Sequence, residues 1–227
     1  MAENTKIIET GQQVLNEIEA KELLRQAGIP VIETKLARTK SEAMRIAREL
    51  GFPVVMKIVS PDAVHKSDVG GVKLNITSAA QAGRAYSEII ASLQAKIPDA
   101  RIEGVSVQKM APPGVEIIIG MSRDPQFGPV IMFGLGGIFV ELLKDVSFRL
   151  VPVSPLDAAE MIQEIRARKM LEGFRGLPAV HIPTLEKLIV RVSDFIESHP
   201  DIVELDINPL IARGKDIVAV DARIVVE

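Results

Sequence analysis

The chain contains no cysteine. Disulfides, thiolate nucleophiles, zinc fingers and iron–sulfur ligation are therefore excluded for its 227 residues, and a thiol-free sequence suits a reducing compartment. Tryptophan is absent and tyrosine occurs once, which leaves no aromatic platform for stacking bases. Charge of one sign is also lacking. Twenty-seven Lys and Arg stand against 30 Asp and Glu, a net charge of −3, so there is no basic footprint for nucleic acid. No apolar run is long enough to span a bilayer. The longest, Gly128 to Leu143, is interrupted by glycines, a proline and Glu141. The first residues, Met1-Ala-Glu-Asn-Thr-Lys6, have neither a basic region nor an apolar one, so no secretory leader is expected. Phosphate loops of the G-x-x-x-x-G-K-[ST] type are missing, and Gly134-Leu-Gly136-Gly-Ile-Phe139 fails the dinucleotide fingerprint at its last glycine. No H-E-x-x-H motif and no Ser-His-Asp order emerges. These absences leave a cytoplasmic globular protein, with neither nucleic acid nor membrane as partner.

What is present is an ordinary balance of 47% hydrophobic and 25% charged residues, enough for one large or two small domains. Periodicity predicts helices over 17–26, 41–50, 78–95, 155–168 and 183–197. It predicts strands over 30–36, 53–60, 72–77, 104–110, 115–121, 130–133, 148–153, 202–212 and 217–226. The first half reads αβαββα and the second is richer in strands. The fold class expected is α+β in two lobes, with the seam near Gln108 to Pro113.

Three polar intrusions interrupt this pattern. Lys57 is the only charge in Pro53-Val-Val-Met-Lys-Ile-Val-Ser60. Two readings stay open: an ammonium facing an anion such as phosphate, or a lysine on an edge strand snorkelling to water. The second intrusion is a C-terminal hairpin. Alternation places Glu204, Asp206 and Asn208 on one face, opposite Val203, Leu205 and Ile207. A four-residue loop from Arg213 to Asp216 pairs Ala212 with Ile217, which sets Asn208 opposite Asp221. Facing oxygen ligands of this kind suit Mg²⁺, which keeps waters and takes phosphate oxygens; the alternative is a solvated surface hairpin. The third is the loop His65-Lys-Ser-Asp-Val-Gly-Gly71, whose amides at Gly70 and Gly71 would approach phosphate closely. His181 and His199, beside helix ends, read as structural or exposed.

Taken in order, seven segments resemble one family. They are Glu19-Ala-Lys-Glu-Leu-Leu24 with Gly28-Ile-Pro30; Val55-Met-Lys-Ile-Val-Ser-Pro61; His65-Lys-Ser-Asp-Val-Gly-Gly-Val72; Gly114-Val-Glu-Ile-Ile-Ile-Gly120; Arg123-Asp-Pro-Gln-Phe-Gly-Pro129; Gly134-Leu-Gly-Gly-Ile-Phe-Val-Glu141; and Glu204-Leu-Asp-Ile-Asn-Pro-Leu210 with Asp221. Together they resemble the beta subunit of ADP-forming acetate–CoA ligase (acyl-CoA synthetase, NDP-forming), an ATP-grasp protein. The resemblance implies an ATP-grasp fold over 1–227, two α+β lobes with nucleotide between them. The smaller lobe would span 21–109 and the larger 110–227, with 1–20 packed on the latter. It implies that Lys57, Gly70, Gly71 and Arg149 meet nucleotide phosphates. Gln108, Lys109 and Met110 would form the hinge against adenine, and Glu116 would hold the ribose or bridge toward the metal. Asn208 and Asp221 would bind Mg²⁺. Asp206 would orient an incoming phosphohistidine, and His65 would carry phosphate between active sites. The implied cofactors are Mg²⁺ and ADP or ATP. The implied partner is a CoA-binding alpha subunit bearing its own phosphohistidine, in an α2β2 assembly.

The implied reaction is acyl-CoA + ADP + phosphate ⇌ carboxylic acid + CoA + ATP. Gly70-Gly-Val-Lys73 and Ile207-Asn-Pro-Leu210 also resemble succinyl-CoA synthetase beta subunits, which offers a second enzyme reading with no phosphohistidine on this chain. A third reading is a nucleotide-sensing module without catalysis.

Overall fold

Asn16, Thr39, Ser78 and Ser154 cap four of the five described α-helices with short polar side chains. Asn16 accepts from the amides of Ile18 and Glu19 while Glu19 accepts from the Asn16 amide. Thr39 with Glu42 and Ser154 with Asp157 repeat this reciprocal cap, the last with Pro155 in the first turn. A computed structural model describes residues 11–63, 66–137, 143–173 and 176–227. The elements run β1 (Gln13–Leu15), α1 (Glu17–Gln26), β2 (Thr34–Ala37), α2 (Lys40–Leu50), β3 (Val54–Val59), β4 (Val72–Ile76), α3 (Ala79–Lys96) and β5 (Gly104–Lys109). Then come β6 (Val115–Asp124), β7 (Gly128–Leu135), β8 (Val146–Leu150), α4 (Pro155–Glu164), a 3₁₀ segment (Arg166–Glu172), α5 (Ile182–Ser198), β9 (Ile202–Arg213), β10 (Asp216–Ala219) and β11 (Ala222–Val226).

The architecture is the expected pair of α+β lobes. The smaller carries a four-stranded sheet ordered β2-β5-β3-β4. Its core joins Val54, Met56, Ile58, Val105 and Val107 to Ala43, Ile46 and Ala47 of α2 and Ala82, Ala85, Ile89 and Leu93 of α3. The larger carries a sheet ordered β1-β11-β9-β6-β7-β8, with β10 paired to β9. One face is covered by α4 and α5, whose Met161, Leu185, Ile189 and Val192 pack on Ile117, Ile119, Ile131 and Phe133. The other face carries Glu116, Ile118 and Gly120 of β6 and Asp206 of β9.

Three expectations change. The boundary at residues 20 and 21 falls inside α1, and Ala20, Leu24 and Ile29 all belong to the larger lobe's core. Alternating polarity along α1 cannot say which of two cores its apolar face will join. The predicted helix 155–168 stops at Glu164, because Asp145 accepts from the amides of Arg166 and Ala167 and starts a separate 3₁₀ turn. The single strand foreseen over 217–226 is two, broken at Val220 and Asp221. No helix among the described residues is long and apolar enough to cross a membrane.

Candidate functional site

Lys57 lies on β3, which is hydrogen-bonded on both sides by β4 and β5. An interior strand has no water at its edge, so the snorkelling reading fails, and Lys57 is 5% exposed. Its ammonium spends itself on three oxygens: Glu17 Oε1 at 2.9 Å, Asp221 Oδ2 at 2.9 Å and the Val220 carbonyl at 3.0 Å. Glu17 stands at the start of α1, with its side chain 1% exposed. Its Oε1 also accepts from Lys21 at 2.8 Å, and its Oε2 from Lys66 at 2.7 Å. Lys66 reaches Asp221 Oδ1 at 3.2 Å as well. Lys21 completes its shell with Thr34 Oγ1 at 2.9 Å and Gln108 Oε1 at 2.7 Å.

Three ammoniums and two carboxylates thus meet at the seam between lobes, a surplus of one positive charge. Lys57 and Lys66 come from the smaller lobe; Glu17 and Asp221 come from elements of the larger. Burial works against ionised Glu17, but Lys57, Lys66 and Lys21 hold its carboxyl far below the ordinary carboxylate range. Burial lowers Lys21 to about 8, against the pull of Glu17. For Lys66 burial is outweighed by Glu17 and Asp221, and its pKa rises. A buried excess of cation is costly unless an anion joins it.

The hairpin register is the expected one. Ile217 pairs with Ala212, Ala222 with Ile207 and Arg223 with Asp206. Asn208 therefore falls opposite Asp221, and its amide donates to the Asp221 carbonyl at 3.2 Å. Asn208 is exposed, whereas the Asp221 side chain, 26% exposed, turns to Lys57 and Lys66. Among the described residues no group of three or more His, Asp or Glu gathers as a metal site.

A model of the ATP-grasp domain matches residues 6–226. The beta subunit of acetate–CoA ligase [ADP-forming] I from Pyrococcus furiosus is 52% identical over 211 residues, covering 93% of this chain and 91% of that protein. The chain belongs to the ATP-grasp family of ADP-forming acetate–CoA ligase beta subunits. Two solved structures agree, both of the dinucleotide-forming acetyl-coenzyme A synthetase 1 of Ca. Korarchaeum cryptofilum. One, in complex with coenzyme A, Ca-AMPCP and HgCl+, superposes with a TM-score of 0.93 at 52% identity, covering 96% of each chain. The other, with coenzyme A and Mg-AMPPCP, has its phosphohistidine segment pointing towards the nucleotide binding site. It gives 0.81 at 49% identity over 94% of this chain and 93% of that one.

Set on this ATP-grasp frame, the remaining candidates fall in different places. Gln108 is fully buried on β5, and its side chain joins the seam. Because Lys21 can only donate, Gln108 Oε1 must face it, and Nε2 is left buried without an acceptor. Lys109 pairs with Val54 and its side chain is exposed. The Met110 amide donates to the Pro53 carbonyl at 3.0 Å. Glu116 is exposed beside the glycine run. A Cβ on Gly136 would come within 2.9 Å of Glu116 Cβ, so glycine is required for the two segments to touch.

Asp206 lies on the face of the larger sheet turned away from α4 and α5, opposite Gly120 and Arg223. Partial burial, with Glu204 and Asp221 nearby, lifts its carboxyl to about 6 against the pull of Arg223. That guanidinium is itself bonded to Glu204 at 2.7 Å.

Two expectations are corrected. The Gly70 and Gly71 amides are taken inside their own turn, donating to the Ser67 and Lys66 carbonyls at 3.0 and 2.8 Å. Gly71 is glycine for packing, since a Cβ would sit 2.5 Å from Ile58 Cγ2. Arg149 is not brought to the seam. It pairs across strands with the fully buried Ile131, on the helix-covered face, and its guanidinium bonds Glu164 at 2.6 Å and Glu160 at 3.2 Å of α4. Those carboxylates, through their hydrogen bonds, push its pKa further up. His65 and Glu141 lie outside the described residues.

Sequence reasoning missed Glu17, Lys21 and Lys66 as members of the site. Glu17 and Lys21 sit four apart on one helical face just after a cap. A solvated surface pair looks the same in sequence. A groove of about 500 Å³ between α1 and α5, lined by Gln26, Arg191, Asp194 and His199, contains none of the cluster.

Proposed function

We propose that this chain is the nucleotide-binding beta subunit of an ADP-forming acyl-CoA synthetase, converting acyl-CoA, ADP and phosphate to acid, CoA and ATP together with a CoA-binding alpha subunit. The observation that carries this reading is the surplus ammonium at the lobe seam. Three lysines share two carboxylates, and an arriving phosphate supplies the missing negative charge. Phosphoryl transfer asks little covalent work of a protein and much charge neutralisation and alignment. Lys57 and Lys66 are placed to provide both. The Gln108 amide, a buried donor without an acceptor, adds a polar contact for a ligand near the hinge formed by 108–110.

Asn208 and Asp221 fit a hard divalent ion. Each offers a side-chain oxygen as ligand, they face each other across a hairpin, and two protein ligands leave room for waters and phosphate oxygens. Mg²⁺ held there would neutralise charge on the phosphates. Glu116, beside Gly136 and Gly137, is assigned to the ribose side of the same cleft. Asp206, whose carboxyl is lifted to about 6 and which lies on the face away from α4 and α5, orients the imidazole that delivers the phosphoryl group.

His65 is the carrier in this reading. A neutral imidazole is nucleophilic near pH 7. Its phosphorylated form gives up the phosphoryl group as a terminal oxygen of ADP forms the new P–O bond and the N–P bond breaks. Support comes from the run His65-Lys-Ser-Asp-Val-Gly-Gly71 and from the relative whose phosphohistidine segment points towards its nucleotide site. The alpha subunit carries the first phosphohistidine, the assembly is α2β2, and the complex is cytoplasmic.

The test is reconstitution. The chain is mixed with a CoA-binding alpha subunit, acyl-CoA, phosphate, Mg²⁺ and ADP, and ATP is followed. ATP should form only with both subunits, and His65→Ala should abolish it while keeping Mg·ADP binding. Full activity in His65→Ala would remove the carrier role and favour a succinyl-CoA synthetase-type mechanism.

A further inference from the structure

The two carboxylates of the seam are not equivalent. Glu17 has its side chain 1% exposed and Asp221 26%. Glu17 stands on the first turn of α1, where the Asn16–Glu19 cap fixes the backbone and Ala20 and Leu24 lock the helix into the larger core. Asp221 sits in the break between β10 and β11, opposite the exposed Asn208. Yet both hold the same two ammoniums. Lys57 bridges Glu17 Oε1 and Asp221 Oδ2, and Lys66 bridges Glu17 Oε2 and Asp221 Oδ1.

We propose that Glu17 is a positioning residue for nucleotide binding: it is the fixed counter-ion of Lys57 and Lys66, and Asp221 is the exchangeable one. The proposal rests on the nucleotide reading above. Asp221 can leave the lysines at small cost, because water already reaches it. Glu17 cannot, because leaving would strand a buried carboxylate. When phosphate oxygens take the place of Asp221 on the two ammoniums, Glu17 keeps them aimed into the cleft and Asp221 is released toward a cation. Without Glu17, Lys57 and Lys66 have Asp221 as their only carboxylate partner, and a metal ion must take it from them with only the phosphate oxygens left as counter-ions. The metal-linked part of nucleotide affinity therefore depends on Glu17, while attraction for bare phosphate does not.

The experiment is calorimetric titration of the full chain with ADP, once in chelator and once in Mg²⁺, for wild type and Glu17→Gln. The readout is the ratio of the metal-free to the Mg²⁺ dissociation constant. In Glu17→Gln the cluster's surplus rises from one positive charge to two. Metal-free ADP should then bind at least as tightly as to wild type, while the ratio falls by tenfold or more. A purely structural Glu17 would weaken both constants by one factor, and that unchanged ratio would overturn the proposal. Should Glu17→Gln not fold, Glu17→Gln/Lys66→Met restores the surplus to one and replaces it. A ratio below wild type supports the assignment, and a wild-type ratio refutes it. A wild-type chain that binds no ADP under either condition refutes the nucleotide reading itself, and this inference with it.

Discussion

Replacing Lys57 by methionine removes one charge from the seam with little change in volume. The surplus of one positive charge falls to zero. The fold should tolerate this, because each Glu17 oxygen keeps a partner, Lys21 on Oε1 and Lys66 on Oε2, and Asp221 keeps Lys66. The cost to stability should therefore stay under the ~3–5 kcal/mol seen when a buried charge is left alone. Nucleotide affinity should suffer more. One hydrogen bond from an ammonium to phosphate contributes about 1.5–3 kcal/mol, so ADP should bind roughly 10- to 150-fold more weakly. Calorimetry with Mg·ADP reads the affinity, and urea unfolding reads the stability. Unchanged affinity in a folded Lys57→Met protein would refute the phosphate role and leave Lys57 as a strut between lobes.

Other substitutions probe the parts around it. Asp221→Ala should weaken ADP binding in Mg²⁺ far more than in chelator, by calorimetry, because an oxygen ligand is lost. Gly71→Ala would drive a Cβ to 2.5 Å from Ile58 Cγ2 and 2.8 Å from the Lys66 carbonyl; the overpacking should cost about 1–3 kcal/mol in urea unfolding. Asn16→Ala removes the cap of α1 next to Glu17, and about 1 kcal/mol of lost capping should lower the melting temperature by ~2–4 °C. Lys21 titrates near 8 when folded and near 10.5 when unfolded, so between these values the unfolded chain binds the extra proton. Its contribution to stability therefore rises with pH across that window, by the order of 1–3 kcal/mol. Lys66, shifted upward, loses its contribution only above that window. The difference in unfolding free energy between pH 8 and pH 10 should be smaller in Lys21→Met, and an identical difference would contradict the assignment.

The hairpin and Lys57 were the most legible parts of the site. Period two and a four-residue loop are enough to set Asn208 against Asp221, and the structure keeps that register through the break at 220 and 221. A lone charge in an apolar strand left Lys57 between an anion partner and water, and nothing near it in sequence pointed to a carboxylate 40 residues earlier. Glu17 was hidden because its pairing with Lys57 and Lys66 is long-range, while its local pattern is that of any surface helix. Arg149 was misplaced because an edge strand's parity does not reveal which face a later helix will cover. Glu160 and Glu164 claim it from α4. Gly70 and Gly71 look the same in sequence whether glycine is needed for a ligand or for the Ile58 side chain. The lobe boundary was missed for a related reason, since α1 offers one face to the larger core and the other to the smaller lobe's lysines.

A crystal structure of the chain with Mg·ADP tests the central assignment most directly. Phosphate oxygens should lie within hydrogen-bond distance of Lys57 and Lys66, with both lysines still on Glu17 and with Asp221 and Asn208 turned to the metal. A nucleotide bound elsewhere, with the Lys57–Asp221 and Lys66–Asp221 pairs intact, would contradict it.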